Sequence, residues 1–324
     1  MKTIMATLTR KLMKLLICDF DETITVKDTI SPLARLAYLV KPQFRPAWKH
    51  FEETYMDGYN RLQPKFAAKR SLPLFRQRDP VITTDNYRDI FASEIEYQQQ
   101  CREIELNSIR EMEQKGLFKG VTTSSVKEYV SSRFGQMQNQ IIRPGFKNCV
   151  TSALNNYGFE LRVISINWSR ELIEAAIPEG LIHGDDIRCN DLLVEGGVYT
   201  GEFSKCLLTG CDKEVVLSSM VSEVSAAGSE YWYIGDSETD LLAILHPDVN
   251  GVVLLDPREN ESKFFKLTTS ILGLDRHTME TFAHDDSTSY IQIATKQGNH
   301  GRTTCYIAKT WVAIELLLEQ PSPI

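Results

Sequence analysis

The sequence predicts an α/β fold: a doubly wound, Rossmann-like parallel sheet with an inserted α-helical domain. Three observations predict it. Short apolar runs such as Leu15–Cys18, Val163-Ile164 and Tyr231–Ile234 carry no charge, as strands buried on both faces do. Helical spacing alternates with these runs, which a parallel sheet with crossover helices requires. From Val26 to about Arg143 strand-like runs disappear, and the spacing is helical instead.

The first strand runs into Asp19-Phe20-Asp21-Glu22-Thr23. Its two aspartates lie on one side of an extended chain. They repel each other unless a cation or a proton is shared between them. Next, Ile30, Leu33, Leu36, Ala37 and Val40 suit one amphipathic helix, with Asp28 or Thr29 as its N-cap and Pro42 near its stop. Trp48, Phe51, Tyr55 and Tyr59 repeat at helical spacing on another. That stripe reads first as the core of the insertion, with a substrate-stacking wall as the alternative. Residues 86–115 are charged, Gln-rich and helical; Gly116–Gly120 is a turn, and Val121–Phe134 begins another helix.

Pro144-Gly145-Phe146 marks the return to the sheet, followed by a helix over Val150–Tyr157. The pattern then predicts a strand over 161–166, a helix over 169–177 capped by Ser169, and a strand over 182–188. A hairpin over Leu192–Phe203 turns at Glu195-Gly196-Gly197. Helix 212–222, strand 231–234, helix 238–245, strand 251–255 and helix 261–271 complete the alternation. Residues 275–304 are polar and show no period. Tyr306–Leu318 reads as a terminal helix packing on the core. The expected division is a core of 12–26 plus 140–275, a helical domain of 27–139, and an extension of 276–324.

The chemistry-bearing residues fall at the carboxyl ends of predicted strands, where open α/β sheets bind ligands. Asp19 and Asp21 follow the first strand. Ser165 follows Val163-Ile164. Asp236 and Asp240 follow Tyr231–Ile234 in Gly235-Asp236-Ser237-Glu238-Thr239-Asp240. Lys213 opens a helix, 23 residues before Asp236. Asp-x-Asp-x-Thr alone carries little weight; the four-part order is specific.

This order resembles the haloacid dehalogenase superfamily of phosphatases, with the insertion as its C1-type helical cap. The resemblance implies that Asp19 is a nucleophile forming an aspartyl-phosphate. It implies that Asp21 protonates the leaving oxygen and then deprotonates water. Mg²⁺ would take oxygens from Asp19, Asp236 and the backbone carbonyl of Asp21. Ser165 and the amide of Ile166 would hold phosphate oxygens. Lys213 would neutralise charge on Asp19 and the phosphoryl group, and Asp240 would orient a metal-bound water or the lysine. Two alternatives stay open: Ser165 as a core hydroxyl, and Lys205 in the place of Lys213.

Dehalogenases of the superfamily lack the second acid, and Asp21 is present. Val163–Ile173, Thr200-Gly201-Glu202, Tyr233–Ser237, Asp240–Leu242 and the aromatic segment from Trp48 to Tyr59 resemble the thiamine monophosphate phosphatase-type domain of plants. That likeness implies a small phosphomonoester as substrate, thiamine monophosphate or another vitamin or nucleoside monophosphate. An aromatic wall with Glu52 and Glu53 nearby would suit a cationic heteroaromatic ring. The alternative class is a catalytically idle relative that binds a phosphorylated ligand or a partner protein.

Composition bounds the partners. The chain has 324 residues, 42% of them hydrophobic, and a net charge of −7. The acidic balance argues against a nucleic-acid partner. No apolar stretch reaches the length of a membrane span. Seven scattered cysteines, none in a Cys-x-x-Cys pair, fit free thiols in a reducing compartment, the cytoplasm or nucleus. Met1–Lys14 carries four basic residues and no acid. A mitochondrial presequence has that character, but a short basic lead-in is preferred because the first strand begins so soon.

Overall fold

Lys14–Cys18 forms the first strand, β1, and Leu15 to Cys18 are all buried. A central strand covered on both faces has no solvent side, so every position after Lys14 is apolar. Replacing Ile17 with alanine would cost about 2–5 kcal/mol for lost burial and the cavity left behind. The computed structural model describes residues 12–67, 69–70, 72, 81–134, 141–223 and 228–320. Most of the basic lead-in lies outside the described residues.

The remaining strands are β2 (Val81–Thr83), β3 (Glu160–Ile164), β4 (Ile187–Arg188), β5 (Leu192–Glu195), β6 (Val198–Phe203), β7 (Glu230–Gly235), β8 (Asn250–Leu254), β9 (Tyr290–Gly298) and β10 (Gly301–Ala308). Eight of them form one sheet in the order β2-β9-β10-β8-β7-β1-β3-β4. All neighbouring pairs are parallel except β9 with β10. β5 and β6 form a separate hairpin, as the Gly196-Gly197 turn predicts. Helices flank the sheet, so the α/β expectation holds. The helix Phe146–Asn156 buries Phe146, Cys149 and Val150 beside the helix Trp311–Leu318, where Phe146 meets Trp311 edge-on at 4.9 Å. Among the described residues no helix is long and apolar enough to cross a membrane.

Several elements differ from their sequence pattern. The strand expected over 182–188 shrinks to the two residues of β4. Gly180 takes a left-handed φ of 83°, and a tight turn at Gly184–Asp186 uses up the chain before pairing can start. The insertion is not wholly helical, because β2 pairs with β9 at the sheet's edge. Residues 275–304 hold the helix Arg276–His284 and β9. The terminal helix begins only at Trp311, where the Thr310 hydroxyl accepts from the Ala313 amide; Tyr306–Ala308 belongs to β10. Asp28 rather than Thr29 caps the helix Ile30–Val40, its carboxylate accepting from the Ile30 and Ser31 amides at 3.2 Å each.

Within the insertion, the helices Trp48–Phe66 and Ala92–Lys115 pack together around Leu62, Phe66, Tyr97 and Cys101. A polar cluster pins the second helix to the core. Arg70 grips both oxygens of buried Glu94, 2.8 and 2.9 Å away, stacks over Tyr97 and also pairs with Glu238. Gln98 donates to the Glu238 carbonyl at 3.1 Å and accepts from the Gly210 amide at 3.0 Å. A side chain at Gly210 would lie 2.7 Å from the Thr239 carbonyl, so only glycine permits this approach.

Candidate active site

The registry of three adjacent strands builds the site. Cys18 of β1 stands beside Val163 of β3 and Ile234 of β7. The chain therefore leaves the sheet at one level on all three, delivering Asp19, Ser165 and Gly235-Asp236 to one place. The Asp19 amide stays tied to β7 through the Ile234 carbonyl at 2.9 Å. Lys213 arrives from the first turn of the helix Gly210–Glu223, whose start is closed by Asp212 accepting the Leu208 and Thr209 amides.

Asp19, Asp236 and Asp240 are buried, and one carboxylate oxygen of each lies within 4.8 Å of the others. Lys213, also buried, is 2.9 Å from Asp19 Oδ1 and donates to Asp240 Oδ1 at 2.7 Å. Burial works against its charge, but Asp19 and Asp240 outweigh that and hold the ammonium above its usual range. Burial raises Asp19, and its acidic neighbours raise it further, while Lys213 opposes both. Asp240 is fully engaged: Oδ1 also accepts from Tyr233 at 2.9 Å, and Oδ2 from the Ser237 amide and hydroxyl. Although burial opposes it, Lys213 brings Asp240 below the usual carboxylate range. Gly235 makes room for this arrangement, since a Cβ there would sit 2.4 Å from Asp240 Cγ.

Asp21 points elsewhere. Its Oδ1 accepts from the Thr29 amide and hydroxyl at 2.7 Å each, and its Oδ2 from Asn167 at 2.7 Å. Burial pushes its carboxyl up to about 6, helped by Asp28 and restrained by Asn167 and Thr29. A carboxyl so raised is partly protonated near neutral pH, as an acid catalyst needs. Glu22 then takes a left-handed φ of 57°, an uncommon backbone state for a side chain of that size. Its carbonyl accepts from Arg143 at 2.8 Å.

The oxygens fit a hard divalent cation. Asp19 Oδ1 is buried and has no hydrogen-bond partner beyond the ion pair with Lys213 at 2.9 Å. Orphaned buried acceptors are rare and point to a missing partner. Asp236 Oδ1 takes the Thr23 hydroxyl at 2.7 Å, while its Oδ2 meets the Lys263 ammonium, which also pairs with Glu22. Of the residues singled out in the sequence, the structure brings together Asp19, Asp21, Ser165, Ile166, Lys213, Asp236 and Asp240. Lys205 lies apart, paired with Glu113 at 2.6 Å. Sequence reasoning missed Asn167, Lys263 and Glu105. Thr23 stood within the first motif but had no role assigned.

A cavity of about 490 Å³ opens from these groups toward the insertion. Trp48, Phe51 and Tyr55 line it, so these three stand where the alternative reading of the stripe put them; Phe51 is both lining and core, and Trp48 packs on that core. Tyr59 packs on the cluster of the insertion instead. Glu52 lines the cavity and Glu53 does not; Glu53 pairs with Lys49 at 3.4 Å.

A family model described as haloacid dehalogenase-like hydrolase matches residues 16–244. The chain is 38% identical over 317 residues to the Cold tolerance protein 1 of Saccharomyces cerevisiae, covering 94% of this chain and 98% of that protein. It is 24% identical over 264 residues to the Bifunctional TH2 protein, mitochondrial, of Arabidopsis thaliana, covering 72% of this chain and 38% of that one. That plant relative agrees with the plant-type likeness of the motifs. Among solved structures, a phospho-aspartyl intermediate analogue of phosphoserine phosphatase aligns at a TM-score of 0.41 and 18% identity, over 78% of this chain and 91% of that one. Because that family model matches well over half of it, the chain belongs to the haloacid dehalogenase-like hydrolases.

Proposed function

We propose that this protein is a Mg²⁺-dependent phosphomonoester hydrolase that works through an aspartyl-phosphate on Asp19. The observation that carries the reading is the buried Asp19 Oδ1, which accepts no hydrogen bond although acids and Lys213 surround it. Asp19, Asp236 and the carbonyl of Asp21 would hold the cation. When bound, Mg²⁺ would supply positive charge that keeps Asp19 ionised and draws charge from the phosphoryl oxygens.

The residues then divide the work. Ser165 and the Ile166 amide orient the phosphate, and Lys213 neutralises it. A carboxylate oxygen of Asp19 attacks phosphorus as the ester P–O bond breaks. Asp21 gives its proton to the departing alkoxide. Water then attacks the phospho-aspartate, Asp21 takes its proton, and phosphate leaves with the Asp19 carboxylate restored. Asp240 does not move protons; it positions Lys213. The helical insertion acts as the cap over the cavity, with 12–26 plus 140–275 as the core, whose sheet β9 and β10 of residues 276–324 extend. The substrate is a small phosphomonoester of the cytoplasm, thiamine monophosphate first and other vitamin or nucleoside monophosphates next.

The test is turnover of 4-nitrophenyl phosphate with trapping of the phosphoenzyme by acid quench. Activity should need Mg²⁺, vanish with EDTA and fall with Ca²⁺, whose larger, looser shell misplaces the nucleophile. Asp19→Asn should give neither turnover nor trapped phosphate. Full turnover in excess EDTA would overturn the mechanism. A second reading, an idle relative that only binds a phosphorylated ligand, draws support from Lys263. Its ammonium satisfies Asp236 without any divalent ion. That reading requires no turnover on any phosphomonoester in the same assay.

A further inference from the structure

The cavity has two chemically different ends. At one end stand Asp19, Ser165 and Lys213, suited to a phosphate. At the other stand Trp48, Tyr55 and Glu105. Glu105 belongs to the helix Ala92–Lys115 and faces the helix Trp48–Phe66. The Tyr55 hydroxyl donates to its Oε1 at 2.9 Å and the Tyr59 hydroxyl to the same oxygen at 2.7 Å. Those two rings lie 5.0 Å apart and fix the carboxylate between them. Among the described residues no hydrogen bond reaches Oε2 and no ion pair reaches Glu105.

We propose that Glu105 selects the leaving group, and that the substrate is a phosphomonoester whose alcohol carries a cationic or amino-substituted aromatic ring. The proposal rests on the phosphomonoester reading above and adds the residue that reads the other end of the substrate. A carboxylate with one oxygen committed, the other open to the cavity and no ion pair among the described residues can accept a donor from a ligand. Burial pushes its carboxyl up to about 7, held from rising further by the two tyrosine hydroxyls. A cation or N–H donor from the ligand would restore the ionised state. Trp48 and Tyr55 line the cavity beside Glu105, and a positive charge over an aromatic face is attracted by the ring quadrupole. Asp28 and Glu52, which also line the cavity, repel an anionic leaving group. A neutral ring would fit the walls but leave Glu105 unpaired, and sites that lose a designed hydrogen bond discriminate strongly.

The experiment compares thiamine monophosphate, as the cationic-ring probe, with 4-nitrophenyl phosphate. In wild type kcat/KM should favour the cationic probe. In Glu105→Gln the ratio between the two substrates should fall about tenfold or more, mainly through KM. Tyr59→Phe removes one of the two clamping hydroxyls and should lower the same ratio by roughly threefold. Calorimetry with thiamine itself, which bears no phosphate, should show binding to wild type that weakens about tenfold in Glu105→Gln. Equal losses on both substrates with a lower melting temperature would make Glu105 structural and overturn the proposal. An unchanged ratio in both variants would overturn it too, and the Tyr59→Phe arm decides if Glu105→Gln does not fold. Wild type that cleaves 4-nitrophenyl phosphate without favouring the cationic ring overturns this proposal alone. Wild type that cleaves neither phosphate, yet binds thiamine through Glu105, overturns the hydrolase mechanism and leaves the assignment of Glu105 standing.

Discussion

Lys263 meets Asp236 Oδ2, a carboxylate oxygen that could also serve a divalent cation, and it also pairs with Glu22. Burial disfavours its charge, but these two acids hold its ammonium above the usual range. A cation that took this oxygen would compete with the lysine. Lys263→Met should remove that competition, and the Mg²⁺ dissociation constant measured by calorimetry should fall severalfold. A weaker affinity would mean that the lysine helps to assemble the site. Asn167 acts on Asp21 in a different way. It supplies one of the three hydrogen bonds to that carboxyl and also donates to the Thr29 hydroxyl at 2.8 Å. Asn167→Ala should raise the Asp21 pKa and shift the acid limb of the kcat profile upward, with kcat lower by about tenfold. Asp19, Ser165, Lys213 and Asp236 were legible in the sequence because each ends a strand or opens a helix. Lys263 was not, since it lies on a helix beyond β8 and no motif spacing ties it to Asp236. Glu105 was hidden for a related reason: its tyrosine partners are 46 and 50 residues away on a separate helix.

The helix Ala92–Lys115 links the insertion to the machinery through Glu94 and Gln98. Arg70 is the keystone of that contact, buried and shared between Glu94 and Glu238. Glu94→Ala leaves the guanidinium buried with half its partners gone, which costs about 3–5 kcal/mol. Chemical denaturation should show that loss. Because Glu238 and Gly210 flank Asp236 and Lys213, kcat should drop as well, even in the fraction that stays folded. Gln98→Ala keeps the ion pair and removes the bridge to Glu238 and Gly210 together with one hydrogen bond to Glu94 Oε1, 2.8 Å long. It should lower kcat with a much smaller effect on stability. No period in the sequence announces such a contact, because its members are three separate polar segments and the backbone of Gly210. The edge of the sheet was illegible for another reason. β9 is only partly buried and reads as polar, and the apolar Tyr306–Ala308 of β10 runs almost directly into the helix Trp311–Leu318. An apolar run that short does not reveal its period.

For the whole molecule, the central parallel strands were legible because double burial forces an unbroken apolar run, and the ends of those strands then announce the site. The interior also contains two groups whose titration opposes each other, and stability against pH should separate them. His246 is buried beside Tyr87, with Nε2 3.1 Å from the Ser218 hydroxyl and Nδ1 accepting the Asp248 amide at 3.3 Å. Burial lowers its pKa from 6.5 to about 4, against some support for its charge from Asp248. Below pH 6.5 the unfolded chain takes up a proton that the native state refuses until about pH 4. Stability from this group is therefore present above 6.5 and lost as pH falls through that window. Glu105 works the other way. Its pKa rises from 4.5 to about 7, so between those values the native state binds the extra proton. Stability from it grows as pH falls from 7 toward 4.5 and is lost as pH rises. The two slopes overlap and partly cancel in wild type. Variants should expose them one at a time in melting temperatures measured from pH 7.5 to 4.5. Glu105→Gln removes the compensating gain, so its Tm should drop more steeply on acidification than that of wild type. His246→Gln removes the loss, so its Tm should hold steadier over the same range. Parallel curves for all three proteins would show that neither group is perturbed by its surroundings in the native state.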